Sequence, residues 1–291
     1  MHDEKQVDRH QQPHEQQPHE QQSHPQQSLS VAERSVPLAA SPNMRDVGGL
    51  ATRDGRQVKR GVTFRSGELS KLDEEQIGVL AALGITRVLD LRTDDERAKG
   101  PDRLPQGVPS IHLDVLGDTS SGRAAAGAGG AGPADASSFD DMTKPGAMEG
   151  MYRDLVSAGS ARKAYRAMFE ELAAADGTPV LFHCTGGRDR AGWAAASLQT
   201  LLGVSRQDVT ADYLASNERL DAYLTKMLEP YAARGADVAK IKQATELRPA
   251  FLDAAFQEID ARYGSFEGYL TEGLGLSDTT LATVRAAHLQ A

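Results

Sequence analysis

The chain has one cysteine, Cys184, and an arginine six positions after it, Arg190. Between them lies Thr185-Gly186-Gly187-Arg188-Asp189; before them come the apolar Val180-Leu181-Phe182 and then His183; after them comes the alanine-rich Ala191-Gly192-Trp193-Ala194-Ala195-Ala196. An apolar strand that gives way to a glycine-containing turn and resumes as a helix builds a cup for an anion. The loop N–H groups point inward, and the first helical turn adds its unpaired N–H groups and the positive end of its dipole. Gly186 and Gly187 suit the positive φ and close backbone approach that such a nest requires. At the start of the loop the thiol of Cys184 is expected to react as a thiolate. The planar fork of Arg190 suits two equatorial phosphate oxygens and the charge that develops on them. Together the two residues imply in-line attack on phosphorus, a phosphocysteine intermediate and its hydrolysis by water.

Either residue alone says little, because a lone cysteine is commonly an inert buried thiol. The combination of strand, glycines, helix and a preceding histidine carries the reading. His183 is expected to hydrogen-bond the loop and orient the sulfur rather than transfer protons. Two other readings use the same loop. A sulfurtransferase or arsenate reductase also presents a cysteine on a phosphate-sized turn, but a reductase of that kind needs partner cysteines and the chain has none. A silent phosphate- or phosphopeptide-binding module would have no use for both Cys184 and Arg190.

The elements that must position this loop are visible in the pattern. Leu72, Gln76, Val79, Leu80 and Leu83 keep helical spacing, and Gly84 then leads into the apolar run 86–91. Further strands fit 110–116 and 178–182, the latter entered from a long helical pattern over 149–174. Beyond Ala191 the chain reads almost wholly as helices broken at Gly235, Pro249, Gly264 and Gly275. The expected fold is α/β: a mainly parallel central sheet, helices on both faces and a helical C-terminal part.

Bulk properties bound the rest. Hydrophobic and charged fractions of 40% and 25% are those of a globular protein. No apolar run approaches the roughly 20 residues of a spanning helix, and no apolar secretory segment is seen, so the expected address is the cytoplasm. With 41 acidic against 32 basic residues and a net charge of −9, nucleic acid is not an expected partner. A single cysteine excludes an intramolecular disulfide and a Cys-rich metal site. Residues 1–36, rich in Gln, His and Pro, read as a disordered tail. A Gly/Ala/Ser-rich stretch at about 119–145 reads as a flexible insertion in a single domain spanning 37–291.

His183-Cys184-x-x-Gly187-x-Asp189-Arg190 resembles the His-Cys-x-x-Gly-Lys-Asp-Arg loop of the bacterial tyrosine phosphatases related to mycobacterial protein tyrosine phosphatase B. Asn43-Met44-Arg45-Asp46-Val47-Gly48-Gly49, Phe64-Arg65-Ser66-Gly67-Glu68-Leu69, Leu89-Asp90-Leu91-Arg92-Thr93-Asp94-Asp95-Glu96, Ala211-Asp212-Tyr213-Leu214-Ala215-Ser216-Asn217 and Tyr263-Gly264-Ser265-Phe266-Glu267-Gly268-Tyr269-Leu270 extend the resemblance from about residue 41 to the C-terminus.

The resemblance implies a phosphatase acting on phosphotyrosine in proteins or peptides, and also on phosphoserine, phosphothreonine and phosphoinositides, without a metal cofactor. Asp189 matches an aspartate that contributes to turnover in the relatives, either as a proton carrier or as a charge partner of Arg188 or Arg190. Asp118 matches a second candidate acid, with Asp114 ranked behind it. Thr185, Gly186, Gly187, Arg188 and His183, with Arg45 and Asp46, are the expected substrate contacts, and Arg65 and Arg92 are further candidates around the pocket. Two positions depart from the family pattern. Arg188 replaces a lysine, which changes reach and hydrogen-bond geometry. Ala191 replaces a serine or threonine that would donate to the leaving thiolate, so breakdown of the phosphocysteine is expected to be slow. The family's lid corresponds to the Gly/Ala/Ser stretch, which implies a more open site here.

Overall fold

Alternating side-chain direction explains why the strand before Cys184 reads as an unbroken apolar run. Val180 and Phe182 face one hydrophobic cluster with Leu89, while Leu181 faces another with Val88 and Phe64. A strand buried on both faces has no polar side to show.

The computed structural model describes residues 27–41, 43–119, 144–233 and 235–290. Its strands are β1 (Arg45–Asp46), β2 (Gln57–Val58), β3 (Thr63–Ser66), β4 (Arg87–Asp90), β5 (Ser110–His112), β6 (Val180–His183) and β7 (Leu289–Gln290). Five form one sheet in the order β1-β3-β6-β4-β5. Within it β3, β6, β4 and β5 are parallel, and β1 adds an antiparallel edge. Strands β2 and β7 pair separately and tie the C-terminal segment to an early part of the chain. The mainly parallel sheet agrees with the expectation from sequence.

The helices are α1 (Val31–Arg34), α2 (Glu74–Ala82), α3 (Asp94–Lys99), α4 (Ala147–Ser157), α5 (Gly159–Ala175), α6 (Arg190–Leu201), α7 (Arg206–Leu214), α8 (Ser216–Ala232), α9 (Val238–Thr245), α10 (Pro249–Tyr263), α11 (Phe266–Gly268) and α12 (Asp278–His288), with a π-helical turn at Tyr269–Gly273. The larger cluster joins one sheet face to α4, α5, α6, α10 and α12; the smaller joins the other face to α2 and Val36, Leu38 and Met44. Helix α6 is buried at every residue except Thr200. Its small residues permit this: a Cβ on Gly192 would stand 3.2 Å from Arg65 Nη2 and 3.4 Å from the Tyr213 ring. Among the described residues no helix is long and apolar enough to cross a membrane.

Three expectations need correction. The helical pattern over 149–174 is two helices, because Ala158 is extended (φ −64°, ψ 144°) and α5 starts afresh after it. The strand expected over 110–116 pairs only at Ser110–His112. The tail ends earlier than residue 36: Leu29 N–H bonds Gly49 O at 2.8 Å, and Arg34 is buried against Asp212. Composition concealed that anchoring, which depends on partners far along the chain. Residues 1–26 of the tail and 120–143 of the insertion lie outside the described residues.

Candidate active site

The C-terminal ends of β3, β6 and β4 finish level, with Ser66 and Asp90 both in register with His183. The loop after β6 therefore opens at the carboxyl edge of the parallel strands, where such sheets place ligands. Its carbonyls are held from outside. Glu68 N–H donates to Thr185 O at 2.9 Å, Asn43 Nδ2 to Gly187 O at 2.8 Å, and Arg65 Nη2 to Gly187 O at 2.7 Å and Arg188 O at 3.3 Å. A trans peptide points its C=O and the following N–H in opposite directions. The N–H groups of Gly186, Arg188 and Asp189 are thereby turned inward, and none of them bonds another described residue. Gly187 has φ +64°, and a Cβ there would lie 2.4 Å from Ser66 O. Gly186 is under no such constraint: a Cβ would meet nothing closer than 3.8 Å.

Cys184 is 2% exposed at the foot of this loop. Its surroundings are not simply apolar, since the guanidiniums of Arg65 and Arg190 lie within electrostatic reach of its sulfur. Burial and the neighbouring Arg45 pull Arg65 down to about 9, against the opposing effects of Asp212 and Cys184. Arg190 Nη1 and Nη2 donate to the two oxygens of Glu96 at 2.6 and 2.8 Å. Thr185 Oγ1 donates to the same carboxylate at 2.5 Å. Burial alone would raise Glu96, but the charge and hydrogen bonds of Arg190, with those of Thr185 and Thr93, hold its carboxyl well below the usual range. Arg190 responds in kind: burial would lower it, and Glu96 raises it further. Glu96 lies within the motif Leu89–Glu96 but is not among the site residues expected from sequence. The available signal was Thr93-x-x-Glu96, a capping box at the start of a helix that follows a strand.

Asp189 accepts from the Tyr152 hydroxyl at 2.9 Å and from Arg188 Nε at 3.1 Å, and Tyr213 in turn donates to the Tyr152 oxygen at 2.7 Å. One carboxyl oxygen thus faces a phenol and the other a guanidinium. His183 is fully buried, with Nε2 3.2 Å from Asp102 Oδ2 and Nδ1 3.3 Å from Cys184 O. It ties the start of the loop to the Asp102 network, and its ring, expected among the substrate contacts, is engaged by that carboxylate and by Cys184 O. Asp90, Asp102 and His183 have the proximity of a metal site, but Arg92 Nη2 already bridges the two carboxylates at 2.8 and 2.7 Å.

Other expected residues lie elsewhere. Arg45, expected to contact substrate, is 0% exposed; it bonds Asp212 at 3.2 Å and Asn43 Oδ1 at 2.6 Å. Asp46 accepts from the N–H groups of Gly48 and Gly61 at 2.8 and 2.7 Å. Arg45 reaches the loop only through Asn43, which holds Gly187 O, and the carboxylate of Asp46 is taken up by backbone amides outside the loop. Arg34, Arg45 and Arg65 share Asp212 at 2.6, 3.2 and 3.4 Å, leaving a surplus of buried positive charge beneath the anion cup. Asp118 is drawn to the N-terminus of α5, where Ser160 N–H and Oγ donate to it at 3.0 and 2.5 Å; those hydrogen bonds lower its pKa. Asp114 is half-buried, its pKa is raised by burial, and Arg190 is among the charges opposing that rise.

A family model described as the tyrosine phosphatase family matches residues 36–290. The chain belongs to the tyrosine phosphatase family. It is 33% identical over 275 residues to the triple specificity protein phosphatase PtpB of Mycobacterium tuberculosis, covering 85% of this chain and 96% of that protein. To a candidate tyrosine-protein phosphatase of Cupriavidus necator it is 31% identical over 256 residues, 85% of each chain. A tyrosine-protein phosphatase of Nostoc commune is 27% identical over 239 residues, 76% of this chain and 72% of that one. This tyrosine phosphatase is therefore an enzyme that dephosphorylates phosphorylated substrates.

Proposed function

We propose that the phosphatase works through a phosphocysteine formed on Cys184. Inward amides of Gly186, Arg188 and Asp189 and the guanidinium of Arg190 hold the phosphate oxygens. The Cys184 sulfur attacks phosphorus as the ester P–O bond breaks, and the departing oxygen takes a proton from Asp114. Water then attacks phosphorus, the P–S bond breaks and inorganic phosphate leaves, with ionised Asp114 accepting the proton of that water. Asp114 is assigned this role in place of Asp118 because burial favours its protonated form and it senses Arg190. Asp189, held by Tyr152 and Arg188, steadies the loop. The observation that carries this reading is the outward anchoring of three loop carbonyls by Glu68, Asn43 and Arg65, which turns the amides inward around Cys184.

Phosphotyrosine is the principal substrate in this reading, with phosphoserine, phosphothreonine and phosphoinositides secondary; the printed specificity of the mycobacterial relative supports the breadth. Arg188 is drawn back onto Asp189, so inositol lipids are expected to be the weakest of the four. A kinetic panel of all four substrates tests the order, with Cys184→Ser as blank. That variant should bind phosphate esters and hydrolyse none; equal turnover in variant and parent would overturn the nucleophile assignment.

A further inference from the structure

We infer that the buried arginine cluster on Asp212 is a fixed countercharge for the phosphate dianion, acting on the cup from behind without touching the substrate. The inference rests on the reading of the phosphate loop given above. Around that loop the ionic groups fall into three clusters, and two of them balance. Arg188 has Asp189 at 3.1 Å and Arg190 has Glu96 at 2.6 Å, so each loop guanidinium brings its own carboxylate. Beside His183, Arg92 meets Asp90 and Asp102 at 2.8 and 2.7 Å and Arg97 meets Asp90 at 3.1 Å, two cations on two anions. The third cluster is unequal: Arg34, Arg45 and Arg65 share the single carboxylate of Asp212. Widening the circle does not restore neutrality. Asp46, within reach of Arg34, has Arg60 at 3.9 Å, and Arg219 is a further cation beside Arg45, Asp212 and Arg34.

A buried charge is little screened by salt and is costly to hold unless an anion meets it. Asp212 meets part of the surplus; burial alone would raise its carboxyl, yet Arg45, Arg34 and Arg65 together hold it well below the usual range. Arg65 connects the remainder to the cup. It lies on β3, the neighbour of β6, and its Nη2 donates to Gly187 O at 2.7 Å and Arg188 O at 3.3 Å. Each of those carbonyls is the back of a peptide whose N–H faces the cup, so the peptide dipole carries the positive potential forward. Arg45 stands one step further away, donating at 2.6 Å to Asn43 Oδ1, whose amide holds Gly187 O at 2.8 Å. The bonds of Arg34 go to Leu29 O, Asp46 O and Asp212, none of them to the loop. Arg34 therefore acts on phosphate through charge or through support of Asp212, and the two differ in sign.

Arg34→Gln, Arg34→Lys and Asp212→Asn are assayed on a phosphotyrosine peptide with inorganic phosphate as competitive inhibitor, and their melting temperatures are read with and without phosphate. Arg34→Gln removes a cation and should weaken phosphate inhibition about threefold to tenfold. Arg34→Lys keeps the charge and should stay within about twofold of the parent. Asp212→Asn removes the anion and should tighten phosphate inhibition about threefold to tenfold, although it lowers stability. Phosphate should also raise the melting temperature of Asp212→Asn more than that of the parent, because the ligand supplies the missing anion; this readout serves should the variant be too unstable to assay. A cluster that merely supports the loop gives weaker inhibition in all three variants and a smaller thermal shift in Asp212→Asn, and that pattern would overturn the inference, as would inhibition constants unchanged throughout. Parent turnover of the peptide, inhibited by phosphate, is the separate control. Its absence would sink the reading of the site, whereas the wrong sign in Asp212→Asn would sink only this inference.

Discussion

Two arginine–carboxylate clusters flank the phosphate loop, and they differ in what they leave unused. Behind the loop, Arg34, Arg45 and Arg65 converge on Asp212, with all four side chains at most 2% exposed. In front, Arg190 meets Glu96 with side chains 11% and 27% exposed and one guanidinium edge still open. Both clusters hold their carboxylates well below the usual range, although burial acts the other way in each. Charge pairing alone therefore does not mark the reactive site. Residual exposure and an uncommitted donor edge do, and the rear cluster contributes instead by fixing loop carbonyls outward and placing positive charge beneath the cup.

The largest effect should separate these roles. Asp212→Asn leaves three buried guanidiniums without their anion and is expected to lower stability by about 3–5 kcal/mol, read by urea unfolding. A loss under about 1 kcal/mol would mean the rear cluster is replaceable. Arg190→Lys should do the converse, lowering kcat about 10²–10³-fold while leaving the urea midpoint close to the parent's. Comparable losses of stability in both variants would erase the distinction.

Asp114→Asn sharpens the comparison on the side of the cup. It should lower kcat/KM about 10²-fold on an alkyl phosphate and much less on p-nitrophenyl phosphate, whose leaving group departs without a proton. Asp118→Asn should not show that split. The smallest effect is on pH. Asp212 and Glu96 have folded pKa values below their ordinary 3.8 and 4.5, so their stabilisation is fully present above those values and is lost as pH falls through the depressed ones. The urea midpoint should therefore decline on the acid side below about pH 4, and Asp212→Asn should decline less steeply there.

Much of the front of the site was legible in the sequence because it is local. Strand, Cys184, Gly187, Arg190 and helix follow one another, and the apolar run and the alanines declare their elements. The back was not, because its contacts are distant: Arg34 and Arg45 meet Asp212 across 178 and 167 residues. Isolated arginines and aspartates in a sequence give no sign of distant partners, so nothing local separates Arg45 and Asp46 from pocket residues, although Arg45 is buried on Asp212 and Asp46 on backbone amides. Strands β1 and β2 have two residues each, too few to display a two-residue period. Glu96 is not legible as a site residue because its capping box gives a complete local reason for a glutamate there, and the bond to Arg190 lies 94 residues away. Asp118 and Asp114 are both loop acids in sequence; Ser160 at the start of α5 draws off the first, and burial near Arg190 sets the second apart.

The central claim is that Cys184 carries phosphate covalently during turnover. Rapid acid quench of a phosphotyrosine reaction at low temperature, followed by mass spectrometry of the peptide containing Cys184, tests it directly. Ala191 provides no hydroxyl to the departing thiolate, so breakdown should be slow enough for a phosphate adduct to accumulate on that peptide and be absent in Cys184→Ser. Steady turnover without any adduct at Cys184, together with retained activity in Cys184→Ser, would contradict the account.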